Sequence, residues 1–212
     1  MAAIPKIVIT GGPCAGKTTG MAYLVKHLFN YGFLVFTIPE VATHLFGCGL
    51  APEKMGTPEQ IYEFEKIVIP TQFFFEDSLE SAAERIYPAD KVVILCDGGI
   101  KHHKPYFPNG YSYDELLEKE YGYNNLDLLA RYLGVVHLLT TAKDKPKIYE
   151  RKRKNNLART ETLEEAILID QKIQESWLGH PRFQIIDNST GFRKKMGRAF
   201  AAIRGFLKDI TA

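Results

Sequence analysis

The chain has 212 residues, enough for one α/β domain with a sizeable core and at most a small second unit. Hydrophobic residues make up 45% and charged residues 25%, which excludes a disordered, collagen-like or disulfide-scaffold chain. Lys plus Arg number 27 against 25 Asp plus Glu, a formal +2, so no whole-protein field recruits nucleic acid, and no nucleic-acid partner is expected. The cysteines Cys14, Cys48 and Cys96 lack metal-type spacing and read as reduced thiols. The N-terminal residues read as neither a secretory h-region nor an Arg-rich presequence. No run approaches the roughly 18 apolar residues of a transmembrane segment, so the expected location is cytoplasmic.

Lys6–Thr10 (KIVIT) is a β-branched run ending at two glycines, the pattern of a strand buried on both faces of a parallel sheet. Helical spacing follows over 16–29. Residues 33–38 (FLVFTI) form a second buried-strand candidate closed by Pro39, with a short helical piece around 41–46. Thr57-Pro58-Glu59-Gln60 supplies an N-cap, a proline at the first helical position and a capping-box glutamine. A long helix is predicted from there to about residue 86, with Pro70 marking a kink or a break into two. Residues 91–96 (KVVILC) are the third strand, ending in Asp97-Gly98-Gly99.

Residues 100–124 read as an active-site-type loop with a short helix near 113–121, and 125–132 add another helical turn or two. Strand four is predicted over 134–140 (GVVHLLT), followed by a strongly basic helical segment over 145–154. Thr162-x-x-Glu165 is a capping box opening a helix with Leu163, Ala166, Ile167, Ile173 and Trp177 on one face. Strand five covers 182–186, and a closing helix runs from about 191 to 210. Strands alternating with helices, without tight hairpins, predict an α/β fold, a parallel sheet of about five strands with helices on both faces. One domain over 1–212, with a helical lid over about 143–160, is the expected organisation. In such sheets ligands bind outside the carboxyl ends of the strands.

The strongest chemical signal is Gly11-Gly12-Pro13-Cys14-Ala15-Gly16-Lys17-Thr18, a full G-x-x-x-x-G-K-[ST] between a strand and a helix. Backbone N–H groups of such a turn wrap phosphate oxygens, Lys17 bridges the terminal phosphates and the Thr18 hydroxyl ligates Mg²⁺. Thr19 completes the expected contacts with a nucleoside triphosphate, ATP or GTP.

Asp97 ends an apolar strand in the Walker-B-like position of a Mg²⁺ partner, the alternative being a cap on the Gly-Gly turn. Glu40 directly follows a strand, where a carboxylate either accepts a proton from a substrate hydroxyl or caps the next helix. Arg151 and Arg159 are assigned to the reacting phosphate on a lid, whereas Lys152 and Lys154 read as a solvated face. Asn188, after strand five, is placed to contact a nucleotide base or to form a turn. His102 and His103 point apart as sequence neighbours and read as loop residues. Phe73, Phe74 and Phe75 pack the core or line a cleft, Gln72 beside them is within reach of a ligand, and Trp177 reads as core.

The sequence resembles the AAA-type P-loop domain shared by the nicotinamide riboside kinase portion of NadR and the TRPL translocation defect proteins. The likeness is carried by Gly11 to Thr18, Ile38-Pro39-Glu40-Val41-Ala42, Leu95-Cys96-Asp97, Asn156-Leu157-Ala158-Arg159-Thr160-Glu161, Glu164-Glu165-Ala166, Trp177, His180 and Asp187-Asn188. It implies a kinase-type nucleotide-binding fold, with Lys17 and Thr18 on phosphates and Mg²⁺ and the arginines on a lid. The resembled pattern reads Asp-Arg-Gly after the third strand, with an aspartate three residues beyond; here Gly98 and His102 stand at those places. Two functions compete. One is phosphotransfer to a small hydroxylated acceptor such as a nucleoside, with Glu40 or Asp97 as base. The other, which Gly98 favours, is a nucleotide-binding module or slow NTPase acting on a protein or acidic lipid partner.

Overall fold

The computed structural model describes residues 4–50, 55–153 and 161–211. Five parallel strands, β1 (Lys6–Thr10), β2 (Leu34–Ile38), β3 (Val92–Asp97), β4 (Gly134–Leu138) and β5 (Phe183–Ile186), form one sheet in the order β2-β3-β1-β4-β5. Every adjacent pair is parallel, and the register sets Ile9 opposite Asp97 and Thr10 opposite His137. β1 therefore lies between β3 and β4, which brings the residues following all three strands to one sheet edge.

The pleat sends alternate residues to opposite faces and builds two cores. Ile7, Ile9, Val93, Leu95, Val136 and Leu138 face α1 (Lys17–Asn30) and α9 (Phe192–Thr211), meeting Leu24, Leu28, Met196, Ile203 and Leu207. Val8, Ile94, Cys96 and Val135 face the other way, toward Ile69 and Phe73 of α3 (Pro58–Ile86) and Ile173 of α8 (Leu163–Ser176). Trp177 is fully buried in this second core, its ring edge-on to Tyr132 at 5.5 Å. Strands covered on both faces have no polar side to show, which is why β1, β3 and β4 read as unbroken apolar runs.

Local signals set the helix starts. Thr57 with Gln60, and Thr162 with Glu165, form reciprocal capping boxes, and Ser112 caps α4 (Tyr113–Tyr121). α2 (Val41–Gly47) follows Pro39, and α5 (Asn125–Ala130) opens on its own Asn124–Asp127 box.

The structure corrects four sequence expectations. β2 is an edge strand with only Ile38 buried, because neither β-neighbour nor helix covers its outer side. α3 runs as one helix with Pro70 inside it, so of the kink and the break expected there the break does not occur. The basic segment is divided into α6 (Thr141–Asp144) and α7 (Pro146–Arg153), since Pro146 sits at a first-turn position where its missing N–H costs nothing. Residues 100–106, expected as loop, form a 3-10 helix (Ile100–Tyr106) whose side chains at 100–103 are buried. Arg159, and the greater part of the expected lid beyond α7, lie outside the described residues.

Candidate functional site

The P-loop connects β1 to α1, and its carbonyls are held partly from within the loop and partly from outside it. Gly11 O accepts from Lys17 Nζ (2.9 Å), Gly12 O from Ala15 N–H (3.2 Å), Cys14 O from the Thr141 hydroxyl (3.3 Å) and Ala15 O from Lys195 Nζ (3.1 Å). Pro13 O accepts from the Thr140 hydroxyl. With five consecutive carbonyls so engaged, and with the first-turn N–H groups of α1 having no intrahelical partner, the loop is preorganised as an anion cradle.

Two of the gripping groups carry no sequence motif. Asp170, in the middle of α8, is 4% exposed, and its Oδ1 accepts from Gly12 N–H (2.6 Å) and Thr140 N–H (3.3 Å) and lies 3.1 Å from His137 Nε2. A Cβ at Gly12 would stand 2.7 Å from the Asp170 Cβ, so glycine is required there by this close approach. Lys195, 2% exposed on α9, also donates to Leu139 O (2.8 Å) and Asn188 Oδ1 (2.7 Å). Asn188 is itself buried, its Nδ2 donating to Thr140 O (2.7 Å) and Leu139 O (3.3 Å). The structure thus places Asn188 beneath the P-loop as a brace.

Glu40 is the N-cap of α2 but makes no side-chain cap bond. Its carboxylate turns to the P-loop, with Oε1 3.9 Å from Lys17 Nζ and 3.5 Å from His102 Nε2, while Oε2 accepts from the Thr43 hydroxyl (3.0 Å). Burial alone would raise its pKa; Lys17, then His102 and Thr43, outweigh that and hold it well below the usual carboxylate range.

Asp97 ends β3 on the same edge. The Gly98 N–H donates to Ile9 O (3.0 Å) across the sheet, so the turn does not need the Asp97 carboxyl, and its Oδ1 is buried without a partner. Burial, with Glu40 adding and Lys17 opposing, pushes Asp97 up to about 7. An orphaned buried carboxyl oxygen raised in this way is a group that a cation would stabilise, and Thr18, in the first turn of α1, is exposed. Among the described residues no group of three or more His, Cys, Asp or Glu is placed to hold a metal by itself.

The two histidines expected in an open loop are buried instead, because the turn at Gly98 (φ 90°) and Gly99 folds the 3-10 helix back onto the sheet edge. His102 Nδ1 lies 3.0 Å from Thr10 Oγ1. His103 faces Glu65 of α3 at 3.7 Å. Burial pushes Glu65 up to about 8, and burial together with His102 pulls His103 down to about 3, so both are uncharged at neutral pH. The cations of this segment are turned elsewhere: Lys101 to Asn125, and Lys104 to Asp114 (2.6 Å).

Of the remaining candidates, Arg151 lies exposed on α7. Gln72 is fully buried and gives its Nε2 to Glu76 (2.7 Å), in a network with the Tyr132 hydroxyl and Arg131, so it serves the core. His180 locks Tyr132 O (3.0 Å) and accepts from Arg182 N–H (3.0 Å), also a structural use.

A strand order with the P-loop strand flanked by β3 and β4, and acidic residues after β2 and β3 facing it, defines a P-loop nucleotide-binding domain of the kinase type. The family profile described as AAA domain matches residues 6–195, and the chain belongs to that family. No curated protein matches the sequence. Among solved structures, deoxyadenosine kinase from M. mycoides with bound dATP is similar, with a TM-score of 0.58, 14% identity, and coverage of 94% of this chain and 99% of that one. The same enzyme with bound dCTP gives a TM-score of 0.52 and 18% identity at the same coverages. At these identities the likeness establishes the fold. Among the described residues no helix is long and apolar enough to cross a membrane.

Proposed function

We propose that the protein is a Mg²⁺-dependent phosphotransferase that moves the terminal phosphoryl group of ATP or GTP to a hydroxyl of a small acceptor such as a nucleoside. The observation that carries this reading is Glu40: a carboxylate 3.9 Å from the P-loop lysine, held at both oxygens and not spent on capping its helix. A hydroxyl bound between Glu40 and the nucleotide gives its proton to the carboxylate as its oxygen forms the new bond to the terminal phosphorus. The bond to the nucleoside diphosphate breaks in line, and that diphosphate leaves. Lys17 offsets charge on the transferring group, and Arg151 and Arg159 act there from the lid. Thr18 and Asp97 would hold Mg²⁺, which supplies charge neutralisation on the phosphate oxygens.

Among the described residues around Glu40, the charges favour an acceptor without a phosphate of its own. Glu40, Glu65, His102 and His103 offer no cation to receive one, and Lys101 and Lys104 have other partners. The similarity in fold to deoxyadenosine kinases supports a nucleoside acceptor. Gly98 supports a second reading, a nucleotide-binding module or slow NTPase whose state alters a protein or acidic lipid partner, since glycine gives an acceptor no side-chain contact.

Diphosphate release from MgATP and MgGTP, measured with nucleosides, with nucleoside monophosphates and with no acceptor, separates the two. Release dependent on a nucleoside supports phosphotransfer. Slow release indifferent to acceptors supports the module, and dependence on a monophosphate overturns the argument from charge.

A further inference from the structure

We propose that His102 is a positioning residue that orients the base Glu40, and that Gly98 is its necessary partner because glycine clears the space the imidazole occupies. A Cβ at Gly98 would lie 3.2 Å from Cδ2 and Cγ of His102 and 3.3 Å from its Cβ. Gly98 also has φ 90°, where a side chain is strained. A side chain at 98 would therefore be strained in its own backbone and would press on the His102 ring, which would have to give way to admit it.

The ring is 1% exposed and is fixed on every side. Thr10, fully buried at the end of β1, meets Nδ1 at 3.0 Å; the Tyr106 and His103 rings stand 5.8 Å and 6.0 Å away. Nε2 is buried, has no hydrogen-bond partner and stands 3.5 Å from Glu40 Oε1. A neutral imidazole has one donor and one acceptor, and a carboxylate only accepts. Nε2 therefore carries the hydrogen and addresses Glu40, while Nδ1 accepts from the Thr10 hydroxyl. Burial, with Lys17 and His137 adding, outweighs Glu40 and lowers the pKa of the imidazole, which agrees with a neutral ring. Thr43 holds Oε2 of the same carboxylate, so the two contacts together fix its plane. This role rests on Glu40 being the base of the proposed phosphotransfer.

The test has a kinetic and a spectroscopic arm, both on the full chain. His102→Leu removes the donor, His102→Gln restores one near Nε2, and Gly98→Ala displaces the ring. With MgATP and the acceptor that supports turnover, His102→Leu is expected to lower kcat about tenfold or more with the nucleotide KM within about twofold. His102→Gln should recover most of that loss, and Gly98→Ala should reproduce it without adding to His102→Leu. Unchanged kcat in His102→Leu, equal changes in kcat and KM, or additive losses would overturn the role.

Nitrogen-15 imidazole spectra, with His102 assigned by its absence in His102→Gln, should show the neutral Nε2–H tautomer at pH 7, with Nδ1 shifted in Thr10→Val. An Nδ1–H tautomer or a doubly protonated ring overturns the geometry whether or not an acceptor is found. The expected tautomer without turnover of any acceptor overturns the phosphotransfer reading, and the positioning role with it, so the two failures are distinguishable.

Discussion

Asp170→Ala is the perturbation that best tests how the phosphate cradle is built. It deletes the acceptor of the 2.6 Å bond from Gly12 N–H and strips a partner from Thr140 N–H and from His137 Nε2, all at buried positions. One good buried hydrogen bond contributes about 1–2 kcal/mol, and each orphaned donor costs about 1–3 kcal/mol, so the loss should total about 3–5 kcal/mol after partial relaxation. At about 2–4 °C per kcal/mol for a domain of this size, melting should fall by roughly 10 °C. Asp170→Asn keeps an oxygen for Gly12 and should cost about 1 kcal/mol. Calorimetric scans, paired with titration of MgATP into each folded variant below its transition, give stability and cradle shape separately. Affinity for the triphosphate should fall with stability in the alanine variant and recover in the asparagine variant. An alanine variant that melts within about 2 °C of the parent and binds MgATP equally well would refute the claim that α8 holds the P-loop.

Three further outcomes are expected. Lys17→Ala should abolish measurable MgATP binding by calorimetry while circular dichroism and melting stay near the parent, because among the described residues Lys17 bonds to Gly11 O and pairs with Glu40 in a partly open setting. Asp97→Asn should weaken the Mg²⁺ dependence of nucleotide binding and relieve a buried carboxyl, so the metal-free protein should melt no lower than the parent; an unchanged Mg²⁺ titration would remove Asp97 from the metal site. Glu65 has a folded pKa of about 8, above its unfolded value, so its stabilising proton is fully present below about pH 4.5 and is lost as pH rises toward 8 and beyond. Glu65→Gln should therefore flatten the decline in stability between about pH 6.5 and 8, above the range in which the depressed His103 contributes a slope of the opposite sign; an unaltered slope there would contradict the burial argument.

What the sequence made legible was whatever depends on neighbours in the chain. The run KIVIT, the Gly11 to Thr18 motif and the capping boxes at Thr57 and Thr162 are short-range statements, and each appears where its pattern put it. Glu40 and Asp97 were legible as residues following strands, since strand ends define the ligand edge of a parallel sheet. Asp170 and Lys195 were not, for they act on residues 158 and 180 positions away and look locally like ordinary members of amphipathic helices. His102 was hidden for a related reason: its burial follows from the positive-φ pair Gly98-Gly99, which turns an apparent surface loop inward. Asn188 was found at the correct end of β5, but the direction of its amide is decided by Lys195 and the β4 carbonyls.

The bracing of the P-loop also has a consequence for the time at which the protein becomes competent during synthesis. The five carbonyls at residues 11–15 and the Gly12 N–H are satisfied by Lys17 and Ala15 locally and by Thr140, Thr141, Asp170 and Lys195, which follow their partners by 127 to 180 positions in the chain. A nascent chain extended only through β4 holds the complete glycine-rich motif together with β1 and its sheet neighbours β3 and β4, but lacks the α8 carboxyl and the α9 ammonium. It has the letters of a triphosphate site without its shape. Capture of nucleotide is thereby tied to emergence of the helices that close both faces of the sheet, so the ligand adds its binding energy to a nearly finished domain and not to a partly folded one.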